Sequence, residues 1–170
     1  MNRLLRSLVL PLLLPGFCTA AAAEEWKNWF DDPFFQVRGN ISGCTIPQGP
    51  MLPLSKRNAE AHYRVERGTS CWLAGQCDRA NAYWYDKDIG KAVEKAFADT
   101  PDFADTSLWV TVQRRFVMVE GCVDSAETGQ RLAALLQALP DVERVIVQVR
   151  KPGDAKPPYA VMPDAANQEN

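Results

Sequence analysis

The stretch from Asp86 to Arg150 constrains this chain most, because its apolar residues change period three times in a fixed order. From Asp86 to Ala98, Ile89, Ala92, Val93, Ala96 and Phe97 recur at helical spacing and fall on one face, and Pro101 follows as a stop. Leu108 to Gln113 and Phe116 to Val123 then alternate with period two around Arg114-Arg115, the pattern of an antiparallel hairpin, although this turn lacks the Gly or Asn that the tightest turns favour. Asp124 is the expected N-cap of a second helix, with Glu127 three residues on. That helix would bury Leu132, Leu135, Leu136 and Leu139, and Gly129 would let its first turn approach the sheet. After Pro140-Asp141, Val142 to Val149 reads as the last strand. The predicted fold class is α+β, a small two-layer helix-strand-strand-helix-strand unit with both helices on one face of a three-stranded sheet.

Strand alternation separates the two sheet faces. Leu108, Val110, Val112, Val117, Val119, Val123, Val145, Val147 and Val149 form a uniformly apolar face for the helices. The opposite face carries Trp109, Thr111, Gln113, Phe116, Met118, Glu120, Cys122, Arg144, Ile146 and Gln148, too apolar in part for ordinary solvated surface.

The ends of the chain set its compartment. Arg3 and Arg6 precede a short apolar run from Leu4 to Leu14, and Ala21-Ala22-Ala23 supplies small residues ahead of Glu24-Glu25, which is the layout of a cleaved signal peptide over residues 1–23. Cys18 follows Phe17 rather than a small residue, against lipoprotein processing. Cleavage after Ala23 takes the formal charge from −2 to −4. An acidic chain with scattered Lys and Arg argues against nucleic-acid binding. Residues 24–85 then read as an irregular extension rich in Cys and aromatics, residues 86–150 as the regular domain, and residues 151–170, with four prolines, as a disordered tail.

Four cysteines remain after cleavage: Cys44, Cys71, Cys77 and Cys122. An even count in an exported chain points to two disulfides rather than to a metal site with His62 or to a redox pair, since five residues separate Cys71 from Cys77. The preferred pairing is Cys71–Cys77 with Cys44–Cys122, the other two pairings remaining open; pairing of Cys122 ties the extension to the second sheet face.

The segment Phe116-Val117-Met118-Val119-Glu120-Gly121-Cys122-Val123-Asp124, the leucine-rich helix, and Leu139-Pro140-Asp141-Val142-Glu143-Arg144-Val145 together resemble the BON domain of bacterial osmotic-stress and nodulation-type envelope proteins. The family more often has glycine where Asp141 stands. Gly121, Asp124 and Gly129 are the structural positions within the resemblance. It implies a periplasmic location, peripheral to the outer membrane, with attachment to phospholipid and no catalysis. The architecture is also similar to the ring-building modules of secretins, which makes a protein-interaction or scaffold role the alternative.

For binding, Trp26, Trp29, Phe30, Phe34 and Phe35 are candidates for an aromatic edge at a membrane interface, and Trp109, Phe116 and Met118 for a patch on the open sheet face. The competing reading is that they pack as a second layer. A helix from Ser55 to Arg67, ending at Gly68, offers Lys56, Arg57, Arg64 and Arg67 to anionic headgroups. No catalytic constellation forms: His62 is the sole histidine, Ser70 has no glycine elbow, and no phosphate loop or dinucleotide fingerprint occurs. The expected partners are phospholipid or an envelope protein, with no cofactor and no small-molecule substrate.

Overall fold

A computed structural model describes residues 24–154 and 156–163. The signal-peptide expectation, with Cys18, lies outside the described residues. The chain runs β1 (Trp26–Lys27), β2 (Phe34–Gly39), β3 (Leu52–Pro53), α1 (Arg57–Gly68), α2 (Ser70–Leu73), α3 (Asp86–Ala98), β4 (Ser107–Gln113), β5 (Phe116–Cys122), α4 (Ala126–Gln137) and β6 (Arg144–Arg150). Short 3-10 turns at Leu54–Lys56 and Ala82–Tyr85 lead into α1 and α3.

The main sheet has the order β2-β4-β5-β6, with β5 and β6 parallel and the other pairs antiparallel. The parallel pair is connected through α4, the usual crossover where a tight turn cannot reverse the chain. The α+β two-layer unit is as expected, but the sheet has four strands rather than three. The extra strand, β2, comes from the extension and pairs along β4 with a register shift between Gln36 and Arg38. Pairing satisfies the β4 edge, and Phe35 and Val37 of β2 pack against the core. Arg38 then reaches the end of α3, donating to the carbonyls of Phe97 and Thr100 at 2.7 and 2.8 Å. A cation on those otherwise unpaired carbonyls also complements the negative end of the helix dipole.

Ile89, Val93 and Phe97 of α3 and Leu132 and Leu136 of α4 close over Leu108, Val110, Val112, Val117, Val119 and Val123. Each such buried side chain contributes roughly 1.5–3 kcal/mol. The N-cap of α4 is Ser125 rather than Asp124: the Ser125 hydroxyl accepts from the Thr128 amide, while Asp124 accepts from the Thr128 hydroxyl at 2.6 Å. Asp124 thus orients the capping turn from one residue outside it. Gly121 is required by its place on β5, because its φ is +139° and a Cβ there would stand 2.1 Å from the Ser107 carbonyl oxygen. Gly129 does face the sheet, but a Cβ would meet Val149 and Val147 at 3.5 and 3.7 Å, ordinary contact distances. Asp141 has φ +63°, which gives a physical reason for glycine's ease at that break.

The Arg114-Arg115 turn is held from outside itself. Both residues have positive φ, 54° and 65°, a conformation unfavourable for residues with a Cβ. The buried Asp86 carboxylate at the start of α3 accepts from both amides at 2.7 Å. Burial pushes the Asp86 carboxyl up to about 6, against the pull of these two donors.

Residues 156–163 are not a disordered tail. Tyr159 is 6% exposed and donates its hydroxyl hydrogen to the Thr45 carbonyl, Pro47 and Val161 form a β-bridge, and the Gln48 amide donates to Ala160. One buried aromatic and an extended pairing suffice to seat a proline-rich segment that composition alone reads as unstructured.

Candidate binding surface

Both disulfides take the preferred pairing, Cys44–Cys122 and Cys71–Cys77. Cys122 is 1% exposed, so the bridge fastens the extension directly onto the second sheet face. The Arg150 guanidinium continues this attachment by donating to the Thr45 hydroxyl and the Asp154 carbonyl, both at 2.8 Å.

Beneath the extension lies a charged joint. Arg64 of α1 turns inward, pairs with both oxygens of the buried Asp32, and bonds Glu60 at 3.1 Å. Its guanidinium lies 4.1 Å from the Phe30 ring and 4.4 Å from the Tyr83 ring, and Gln113 of β4 donates to Asp32 at 2.9 Å. Burial works against the charge of Arg64, but the bond to Asp32 and its negative charge hold the guanidinium pKa above the ordinary value. Burial also pushes the Tyr83 phenol up to about 12. Arg64 therefore does not belong to an outward basic face. The helix carrying it begins at Arg57 rather than Ser55, and its exposed cations are Arg57 and Arg67, with Lys56 just ahead of it.

The sequence-derived aromatic candidates are not gathered into one surface. The Trp29 indole donates to the Leu52 carbonyl at 2.7 Å, with Lys27 and Arg57 over its ring. Trp26 sits in β1, paired with Pro53 of β3. Phe30 lies under Arg64, Phe34 pairs along β4 and fills the space beside Gly49, and Phe35 joins the core margin. Trp109 is 8% exposed, Phe116 is half-buried beneath Arg114 and Arg144, and Met118 is half-buried on the second sheet face. These are packing positions, in keeping with the second-layer reading.

A different set of apolar side chains reaches solvent. Val65 is 72% exposed, Trp72 50%, Leu73 73% and Trp84 62%. Trp72 and Leu73 end the short helix α2 and lie within the loop that the Cys71–Cys77 bridge closes. The amides of Asp78 and Arg79 donate to the Tyr85 hydroxyl at 2.9 and 2.7 Å, and Arg79 also bonds the Trp84 carbonyl and Asp88. The bridge and Tyr85 thus bring the end of the loop to the segment bearing Trp84. The available sequence signal was the position of Trp72-Leu73 between two cysteines; burial alternates over Tyr83, Trp84 and Tyr85, which no local pattern distinguishes.

His62 bonds Glu66 at 3.3 Å on the exposed side of α1, and among the described residues no group of three His, Cys, Asp or Glu side chains is placed to hold a metal. No described helix is long and apolar enough to cross a membrane. Residues 85–150 match the family model of the BON domain. No curated protein and no solved structure matches the chain.

Proposed function

We propose, on the premise that the chain carries a BON domain over residues 85–150, that it is a non-catalytic envelope module attaching to phospholipid surfaces through the edge bearing Val65, Trp72, Leu73 and Trp84. The BON domain is a binding family associated with phospholipids and envelope proteins, and the two disulfides suit an oxidising compartment. Delivery would be by the leader over residues 1–23, cleaved after Ala23. The observation that carries the reading is the disulfide-clamped pair Trp72-Leu73, whose side chains stand out from the protein instead of completing its core. Tryptophan and leucine on a fixed loop suit the interfacial zone of a bilayer. Arg57 and Arg67 on helix α1, with Lys56 just ahead of it, would add roughly 1 kcal/mol each near an anionic surface, falling with salt.

Sedimentation of the purified protein with phosphatidylglycerol–phosphatidylcholine vesicles tests this reading. Replacing Trp72 and Leu73 together by serine removes roughly 2–4 kcal/mol of apolar burial, a fall in partitioning of roughly 30-fold or more. Absence of sedimentation at low salt, or sedimentation unchanged in the double variant, refutes it. A discrete crosslinked protein in the intact envelope, without vesicle binding, would replace the membrane by a protein surface.

A further inference from the structure

Between the extension and the second sheet face lies a cleft of about 170 Å3, lined by Gly49, Pro50, Leu52, Glu60, Thr111, Gln113, Met118 and Glu120. Its polar groups are unusual in what they lack. Glu120 is half-buried, and among the described residues no cation or hydrogen-bond donor engages its carboxylate. The arginines on the same face of β6 make no bond to it: Arg144 lies over Phe116, and the two terminal nitrogens of Arg150 are held by Thr45 and Asp154, its Nε being a buried donor without a partner among the described residues. Thr111 is 3% exposed, and its hydroxyl oxygen has no hydrogen-bond partner among the described residues. Gln113 commits its amide nitrogen to Asp32, which leaves the carbonyl oxygen as the acceptor it can offer. Glu60, the other titratable group of the cleft, is paired with Arg64.

Uncompensated buried polar groups normally find partners. The chemistry here asks for a cation with several donors and one positive charge. A hard divalent ion takes six or more oxygens with several carboxylates, and no suitable group of three acidic or other ligands exists among the described residues. An ammonium head has three donors and one charge, which matches one free carboxylate and a neighbouring neutral acceptor. Met118, Leu52 and Pro50 supply an apolar wall for a short alkyl stem, and the volume holds roughly five non-hydrogen atoms at about 30 Å3 each. We infer that this cleft binds a protonated primary amine on a short alkyl stem, with Glu120 as countercharge and Thr111 as the neighbouring acceptor. The cleft involves none of the four side chains assigned to membrane docking, so the inference stands independently of that assignment.

The probe is ethanolammonium chloride titrated into the purified protein, followed by amide chemical shifts of Thr111, Met118 and Glu120. Saturable shifts are expected, with a dissociation constant on the order of millimolar for so small a ligand. Tetramethylammonium, which has the charge but no donors, should bind about tenfold more weakly. Glu120→Gln should cost about tenfold or more and Thr111→Val a few-fold, with both variants checked for an unchanged fold by their remaining spectra. Burial pushes the Glu120 carboxyl up to about 7, so affinity should strengthen from pH 6 to 8 as the countercharge develops. No saturable shift, equal binding by Glu120→Gln, or equal binding of tetramethylammonium overturns the inference. The source of the amine is read separately with vesicles in which phosphatidylethanolamine replaces phosphatidylcholine at constant anionic content. A Glu120-dependent gain assigns a lipid headgroup; binding of the free amine without such a gain assigns a soluble amine.

Discussion

Removing the two disulfides one at a time should have very unequal effects, because they close loops of very different length. Cys44 and Cys122 are 78 residues apart in sequence, Cys71 and Cys77 only 6. In the chain-entropy treatment, each bridge stabilises by restricting the unfolded chain, which gives about 4.5 kcal/mol for the long loop and about 2 kcal/mol for the short one. Cys122 is also 1% exposed and Cys71 7%, while Cys77 is half-buried against the margin of the core. The paired substitution Cys44→Ala/Cys122→Ala should therefore cost about 4–5 kcal/mol, and Cys71→Ala/Cys77→Ala about 2 kcal/mol. Urea unfolding followed by tryptophan fluorescence measures both, and the slope against urea should rise most for the first pair, whose unfolded chain expands most. The second pair should lose vesicle binding out of proportion to its stability, since the loop then no longer holds Trp72 and Leu73 outward. Equal costs for the two pairs, or a cost below about 1 kcal/mol for the long loop, would refute the view that this bridge fastens the extension to the sheet.

Acid should stabilise the fold through Asp86. Burial pushes its folded carboxyl up to about 6 from an ordinary 3.8, so the folded state holds the proton more tightly and stability falls as pH rises from about 4 to about 6. At about 1.4 kcal/mol per pH unit the fall approaches about 3 kcal/mol, and urea midpoints for Asp86→Asn should be flatter across that window. Glu120 acts in the same direction up to about pH 7. Gly121→Ala should prevent or severely impair folding, seen as loss of native near-ultraviolet dichroism, because its Cβ would enter the Ser107 carbonyl. Gly129→Ala should instead raise the thermal midpoint through a gain of up to about 1 kcal/mol in helix propensity. Asp32→Asn should cost about 3–5 kcal/mol in urea unfolding by leaving the Arg64 charge buried without its counterion.

The parts of this fold that can be read from sequence are those written in local periods. Ile89, Val93 and Phe97 share a helix face, and the alternating valines of β4 and β5 turn inward as their spacing requires. The strand β2 is different. Phe34–Gly39 follows a proline and ends in glycine, and it becomes a strand through pairing with β4 some seventy residues later. The Arg114-Arg115 turn is likewise stabilised by Asp86, which no turn rule inspects. Within the candidate surface, aromatic content was visible but its direction was not. Trp29 and Trp72 are the same residue type in the same extension, yet one indole is bonded to Leu52 and the other is half-exposed within the loop closed by a disulfide. Tyr159 shows the converse: a single side chain against Thr45 orders a segment whose composition suggests none.

The position of Cys122 near the far end of the chain also bears on how the native pairing is reached. Were the chain exported N-terminus first, it would present Cys44, Cys71 and Cys77 to oxidants before Cys122. Cys71 and Cys77 are close enough to pair at once, and doing so would hold Cys44 in reserve. If Cys44 instead joins either of them, one cysteine is stranded and the error can be corrected only by thiol–disulfide exchange. Formed first, the short bridge would leave Cys44 a single remaining partner, Cys122 on β5, which pairs with β4.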